Sequence, residues 1–163
     1  MELLTQIHPP VVHFAIALTI TGVVFEILFL IFRLKSLKHA GFWTFMFGVI
    51  AVWGAMLTGD QAAEVVEENI YGTAKKLLDT HEEIGEILPW IFTVLGGIRL
   101  LMFFREIKFL RLLFLILALL SSGLVAYQGN IGGKMVYEYG VGVKVIKSIP
   151  TDVENKSNSI KNM

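Results

Sequence analysis

The stretch that decides the fold is residues 7–26, IHPPVVHFAIALTITGVVFE, in which two histidines and a proline pair head a long apolar run. A run of this length is typical of a membrane helix, which needs roughly 20 residues to cross the hydrocarbon core. Polar groups near a bilayer boundary are costly unless they bind, pair or form hydrogen bonds. The stretch therefore predicts a membrane helix with a binding or packing function at one end.

Composition favours one membrane domain. Of the 163 residues, 55% are hydrophobic and only 17% are charged, and the mean hydropathy is +0.66. These values lie outside the range of ordinary soluble domains. The formal net charge is zero and the basic residues sit at helix ends, so there is no electrostatic reason to expect nucleic acid as a partner. The absence of cysteine excludes disulfides, thiolate metal sites, iron–sulfur clusters and cysteine nucleophiles.

Four apolar segments predict an all-α integral membrane protein that forms a four-transmembrane-helix bundle. They cover residues 10–32, 41–57, 84–104 and 109–127. Small residues in these segments allow the helix backbones to approach closely. We expect residues 1–147 to form this four-helix membrane domain. The polar residues 148–163 are expected to be a disordered C-terminal tail.

Charge predicts the orientation, because short cytoplasmic loops are enriched in lysine and arginine. The basic residues of the first and third connections and their flanks are Arg33, Lys35, Lys38, Arg99, Arg105, Lys108 and Arg111. The second connection is mainly acidic, although Lys134, Lys144 and Lys147 near the last helix reduce the contrast. We therefore expect a bacterial inner-membrane protein with both termini on the periplasmic side.

Two segments outside the spans have distinct patterns. The connection at 60–80 predicts a surface helix, a break at 69–72 and a new helix from Thr73 that runs into the third span. After Tyr127, QGNIGGKMVYEYGVGVKVIK is rich in glycine and β-formers. This pattern predicts a turn and then an extended or hairpin-like segment over the outer mouth of the bundle.

Three histidines are expected to meet at the outer end. His13 lies in the first turns of span one, and His81 lies at the corresponding depth of span three, which runs in the same direction. Two imidazoles from facing helices are what a six-coordinate b-type haem requires. We therefore predict His13 and His81 as axial ligands of the haem iron. His8 is predicted as an alternative ligand or as a residue that donates a hydrogen bond to one of the ligands. Gly85 is expected to give room for the macrocycle, and Lys134 to pair with the haem propionates.

The first span has two faces. His8 and His13 are about 140° apart if both are helical. The face opposite His13 contains Ala15, Thr19, Gly22 and Glu26, and His8 extrapolates to it. Because Pro9 and Pro10 suit the first turn of a helix, His8 is alternatively a cap residue outside it.

Other interpretations stay open. The histidines can serve packing alone, through hydrogen bonds between helices or to lipid headgroups. The sequence HEEIGE at 81–86 alternatively predicts a metal ion held by imidazole and carboxylates, although the second histidine of HExxH is absent. Glu26, deep in span one, is expected to be neutral or hydrogen-bonded to Thr19 or Thr21, with a structural or proton-relay role.

Ordered motifs indicate a family. HPPVVHFAIAL at 8–18, TG at 58–59, His81 with Gly85, and GGKMVYEYGVGV at 132–143 resemble the bacterial membrane proteins called domain of unknown function 2231. The resemblance covers about residues 7–143 and implies a four-helix membrane domain whose histidines, here His8, His13 and His81, are candidate haem or metal ligands. It implies no established activity.

This sequence departs from the family pattern at two positions. Ala15 replaces a usual proline, and Tyr139 replaces a histidine that often precedes GVGV. The second departure argues against a scheme with four histidines and two haems.

These observations predict a cytochrome-like subunit that binds haem b and transfers electrons near the outer face, with a redox partner subunit or a quinone. The competing prediction is a non-redox accessory subunit. An electron-transfer or accessory subunit fits the sequence better than a stand-alone enzyme, because no set of nucleophile, base and orienting residue is present. Membrane lipid and a second copy of the chain are further expected partners.

Overall fold

Four long helices form nearly all of the computed structural model, which describes residues 2–105 and 107–143. In chain order they are α1 (Glu2–Phe32), α2 (Lys35–Glu67), α3 (Thr73–Phe104) and α4 (Lys108–Tyr137). All four are long and apolar enough to cross a membrane. At about 1.5 Å per residue, helices of 30 to 33 residues are about 45–50 Å long, so their ends extend beyond the hydrocarbon core. The predicted all-α membrane bundle is confirmed.

The helices pack in chain order, and α4 closes the bundle against α1. Short connections at 33–34, 68–72 and 105–107 make consecutive helices run in opposite directions. One end of the bundle therefore contains His8 and His81, and we call it the histidine end. The opposite end contains the connections at 33–34 and 105–107, and we call it the basic end.

Glycines allow α1 and α2 to pack with their backbones close together. A Cβ atom added to Gly22 would lie 2.8 Å from the Cβ of Phe45, and one added to Gly48 would lie 2.8 Å from Cγ2 of Thr19. The four residues predicted to lie opposite His13 are all buried; they are Ala15, Thr19, Gly22 and Glu26. This face of α1 is therefore a packing seam, as predicted.

Glu26 is paired with two arginines near the basic end. Its Oε2 lies 2.8 Å from Nη2 of Arg99, and its Oε1 lies 3.1 Å from Nε of Arg111. Arg99 also donates from Nη2 to the carbonyl of Lys38 at 3.2 Å, so the cluster joins all four helices. Arginines replace the predicted threonine partners because a buried carboxylate needs an opposite charge. Arg99, which we counted as a connection charge, is 1% exposed.

Each helix extends beyond the apolar span predicted for it, and two of these differences overturn a prediction. Helix α1 begins at Glu2, so His8 is a helical residue and not a cap. Helix α4 continues through residues 128–137, where we predicted a turn and an extended segment. A helix pairs its backbone groups internally, which matters most near a bilayer, and this outweighs a glycine cost of about 1 kcal/mol per residue.

The chain turns back over the histidine end after α4. Gly140 has a φ of 63°, and the N–H of Val141 donates to the carbonyl of Met135 at 2.9 Å. In the second connection the break at 68–72 and the new helix from Thr73 follow the prediction, whereas the predicted surface helix is a continuation of α2, which ends at Glu67. Residues 144–163, which include the predicted domain boundary and the polar tail, lie outside the described residues.

Candidate functional site at the histidine end

A cavity of about 400 Å³ opens between the helices at the histidine end. Ligand sites in proteins are typically about 300–1,000 Å³ and mainly apolar, with a few polar groups that orient the ligand. The apolar lining includes Val12, Ala15, Ile16, Val52, Leu88 and Val125. The polar residues of the lining are His8, Thr19, Asp60, His81, Glu82 and Gln128. The cavity therefore has the general form of a small-molecule site.

His8 is oriented by a hydrogen bond from α1 to α2. Its Nδ1 lies 3.0 Å from Oγ1 of Thr58, and the Thr58 hydroxyl donates to the carbonyl of Gly54 at 2.8 Å. Because a hydroxyl has only one proton, Thr58 accepts from His8, and Nδ1 of His8 carries the hydrogen. In neutral His8 the lone pair is then on Nε2, the atom with which the ring would bind iron or accept a hydrogen bond.

His81 lies on α3 beside polar atoms that have no protein partner. Its Nδ1 is buried and has no hydrogen-bond partner among the described residues. Gln128 of α4 donates from Nε2 to the carbonyl of His81 at 2.6 Å, while the buried Oε1 of Gln128 also has no partner in the described part of the chain. Buried polar atoms are nearly always paired, and a polar ligand is one way of pairing them.

Glycines on neighbouring helices make room for both imidazoles. A Cβ atom added to Gly59 would lie 3.0 Å from Cε1 of His8, and one added to Gly132 would lie 3.3 Å from Cε1 of His81. Gly85 lines the cavity, and a Cβ there would lie 3.5 Å from Nε2 of Gln128. A side chain at position 85 would thus be in ordinary van der Waals contact with Gln128, while Gly59 and Gly132 set the closest limits on the rings. The predicted role of Gly85 in giving room to a macrocycle stays a prediction.

The structure brings His8 and His81 to one cavity and leaves His13 outside its lining. His13 is exposed, and its Nδ1 donates to the carbonyl of Pro9 at 2.6 Å. The angle of about 140° between His8 and His13 on one helix explains why only His8 faces the bundle. Lys134 is exposed in the last turn of α4, at the same end but not among the lining residues.

The carboxylates near His81 do not assemble into a metal-binding cluster. Asp60 and Glu82 line the cavity, whereas Glu83 and Glu86 are exposed. Among residues 2–105 and 107–143, no group of three or more histidine, aspartate or glutamate side chains is placed to hold a metal ion. The geometry therefore gives no support to an ion bound through HEEIGE.

Sequence reasoning missed the contributions of Thr58 and Gln128. Thr58 is followed by Gly59 at the end of an apolar run, and Gln128 directly follows the apolar run of the fourth span. The signal available in the sequence is a polar residue directly after an apolar run. It indicates a site residue when the helix continues beyond that run. The predicted spans stop at residues 57 and 127, directly before these two positions, and the TG motif at 58–59 enters only through the family resemblance.

Comparison with known proteins identifies the family. The family model for the predicted membrane proteins called DUF2231 matches residues 5–145. The chain belongs to this family, which confirms the resemblance, and the matched range includes every residue that lines the cavity. No curated protein and no solved structure matches the sequence.

Proposed function

We propose, from membership in this family of membrane proteins and from the chemistry of the cavity, that the chain binds b-type haem between His8 and His81. The single observation that carries the proposal is the placement of two half-buried histidines, from α1 and α3, in one mainly apolar cavity. Two imidazoles from different helices of a bundle are a recurrent way of holding haem. His8 replaces His13 as the ligand that accompanies His81.

The side chains around the cavity suit this ligand. Thr58 fixes the His8 ring with Nδ1 as donor, which leaves Nε2 for the iron, and such supporting hydrogen bonds orient metal ligands. Bound haem supplies a one-electron redox couple whose potential depends on the axial ligands and on the polarity around it. Lys134, exposed at the same end, remains the proposed partner of the propionates.

We further propose that the histidine end lies on the periplasmic side and exchanges electrons there with a partner subunit or a quinone. The orientation is supported by the basic residues of the first connection, which favour the cytoplasm at the opposite end. Because the sequence has no cysteine, single cysteines introduced as Glu68→Cys and Ser36→Cys report the two ends separately. In intact cells, a membrane-impermeant maleimide should label only Glu68→Cys. If it labels only Ser36→Cys, the protein has the opposite topology.

The direct test is an absorption spectrum. The full chain is expressed with sufficient haem, purified in detergent and measured as a reduced-minus-oxidised difference. We expect a b-type band and about one haem per chain, as two ligands in one cavity imply. A folded protein without the band contradicts the proposal.

The ligand assignment is tested by two alanine variants of the same helix. His8→Ala should lose the band, whereas His13→Ala should retain it, because only His8 lines the cavity. Circular dichroism and size-exclusion chromatography check that both variants fold. Loss of the band in His13→Ala with retention in His8→Ala would restore the assignment of His13.

A second function, a non-redox accessory subunit, is favoured by the bond between His8 and Thr58. That bond joins α1 to α2 without any cofactor. In this case the wild-type protein shows no band, and His8→Ala lowers its thermal stability. The absorption spectrum of the wild type and the thermal stability of His8→Ala therefore separate the two functions.

A further inference from the structure

His81 and Gln128 are neighbours on α3 and α4, and each has one buried polar atom without a hydrogen-bond partner among the described residues. These atoms are Nδ1 of His81 and Oε1 of Gln128. Both residues line the cavity of the histidine end. Buried polar atoms are nearly always paired with protein, ligand or ordered water. Each of the two atoms therefore requires a partner.

The hydrogen bond from Gln128 to α3 fixes the direction of its amide group. Nε2 of Gln128 lies 2.6 Å from the carbonyl oxygen of His81. Because a carbonyl oxygen only accepts, the NH2 group of Gln128 must face it, and the amide oxygen must face away from it. Oε1 of Gln128 can itself only accept a hydrogen bond. The partner that Oε1 requires is therefore a donor.

The ring of His81 is oriented with its Nδ1 edge towards α4. A Cβ atom added to Gly132, one helical turn after Gln128, would lie 3.3 Å from Cε1 and 3.9 Å from Nδ1 of His81, while Nε2 lies beyond 4 Å. One added to Gly85 would lie 3.5 Å from Nε2 of Gln128. The unpaired nitrogen of His81 thus faces the helix that carries Gln128, and neither glycine brings a side chain into the space around the amide.

We propose that Gln128 is a positioning residue for His81, and that its Oε1 receives the Nδ1–H group of His81 through one bound water molecule. The water accepts from Nδ1 of His81 and donates to Oε1 of Gln128, which pairs both atoms. Neutral His81 then carries its hydrogen on Nδ1 and its lone pair on Nε2.

His8 has the same kind of partner without a water. Thr58 of α2 accepts from Nδ1 of His8 at 3.0 Å. Each histidine of the cavity therefore has an acceptor for its Nδ1 hydrogen on the next helix of the chain, and each has its lone pair on Nε2. The consequence for haem rests on the proposed function, because hydrogen bonds of this type orient an imidazole ligand and raise its basicity. Gln128 acts on the iron only through His81.

The test locates the ring hydrogen of His81 by NMR. The full chain is labelled with ¹⁵N-histidine, purified in detergent without haem and measured at about pH 8, where histidine is ordinarily neutral. The ¹⁵N shift distinguishes a ring nitrogen that carries hydrogen from one that has a lone pair, and variants that lack one histidine assign the signals. We expect the Nδ1–H form of His81 in the wild type. The Nε2–H form in the wild type overturns the proposal.

Gln128→Met and Thr58→Val form a crossed pair of variants. Methionine is similar in length to glutamine but has no acceptor oxygen, so Gln128→Met should lose the preference for Nδ1–H at His81 and leave His8 unchanged. Thr58→Val should change His8 and leave His81 unchanged. If Gln128→Met leaves His81 unchanged, the proposal is overturned. Equal changes at both rings in Gln128→Met report a general loss of packing and also overturn it.

Gln128→Glu separates the acceptor from the link between α3 and α4. Glutamate keeps an acceptor oxygen in either protonation state, whereas ionised glutamate cannot donate to the carbonyl of His81. We expect Gln128→Glu to retain the Nδ1–H form that Gln128→Met loses. Loss of this form in both variants, with folding confirmed by circular dichroism, shows that Gln128 only links the helices.

Haem titration of the same proteins separates this inference from the proposed function. Gln128→Met should bind haem about tenfold more weakly than the wild type, as expected for a lost supporting hydrogen bond. If the wild type binds no haem and the NMR result holds, the proposed function fails and the role of Gln128 at His81 stands. If the wild type and Gln128→Met bind haem equally well, the proposed function stands and the positioning role of Gln128 fails.

Discussion

Both ends contain buried polar atoms without a hydrogen-bond partner in the described chain. At the basic end these atoms belong to the ion pairs of Glu26 with Arg99 and Arg111, whereas at the histidine end they belong to His81 and Gln128, which form no ion pair among the described residues. Both groups lie among apolar side chains, where an unpaired polar atom is costly. The charges of the cluster around Glu26 are largely balanced by other charges of the same chain. The polar groups of the histidine end are arranged around a cavity of about 400 Å³.

This difference separates a structural cluster from a candidate binding site. Glu26 is 0% exposed, and its cluster ties the four helices together through two ion pairs and one backbone carbonyl. The polar groups of the histidine end are half-buried, and an added ligand can reach them through the open mouth. We therefore expect substitutions at the basic end to change stability and those at the histidine end to change ligand binding.

The largest effect is expected for Glu26→Gln, which leaves two arginines with no carboxylate. Removing one partner of a buried ion pair costs about 3–5 kcal/mol. The variant should show a much lower unfolding temperature in detergent. Glu64→Gln, at an exposed position of α2, serves as the control and should unfold like wild type. If both variants unfold at the same temperature, the cluster does not hold the bundle together.

Thr58→Val should affect ligand binding more than stability. The change removes the hydroxyl that accepts from Nδ1 of His8, and losing such a supporting bond weakens metal affinity by about 10–100-fold. Haem titration of the apoprotein measures the effect. The matched control is Thr80→Val, whose hydroxyl bonds only the carbonyl of Lys76 in its own helix. An affinity equal to that of wild type contradicts the role given to Thr58.

A smaller effect is expected for Gly132→Ala. The added Cβ would lie 3.3 Å from Cε1 of His81, so the ring must move by a few tenths of an ångström. We expect a loss of about 1 kcal/mol, or about fivefold, in haem affinity. Gly133→Ala is the control, because among the described residues its added Cβ would meet no atom within 4 Å apart from its chain neighbours and its own helix backbone. Equal affinities in the two variants show that the His81 ring is not constrained by α4.

The first helix illustrates what the sequence predicts and where local rules fail. Its periodicity correctly places Ala15, Thr19 and Glu26 in a seam, and the same periodicity puts His8 on that side. The proline pair, which is typical of a helix start, suggested that His8 lay outside the helix. In the structure α1 begins at Glu2, and His8 is held by a hydrogen bond to Thr58, fifty residues later in the chain.

The charged residues show a second limit of sequence reasoning. Arg99 reads as a connection charge because it lies close to Arg105, yet its side chain points into the bundle and contacts Glu26. Ion pairs between helices depend on how the helices rotate against one another, and the weakly amphipathic pattern of membrane helices does not fix that rotation. The four spans follow from hydropathy alone, whereas the partners of Glu26 and His8 follow only from packing.

The central claim is that the histidine end, and not the basic end, binds the cofactor. The most direct measurement is the haem content per chain of His81→Ala compared with His39→Ala after identical haem-sufficient expression. His39 lies in a pocket at the basic end, and its Nδ1 donates to the carbonyl of Lys35 at 2.8 Å. We predict about one haem per chain for wild type and His39→Ala, and almost none for folded His81→Ala. Equal haem content in both variants, or none in the wild type, would contradict the claim.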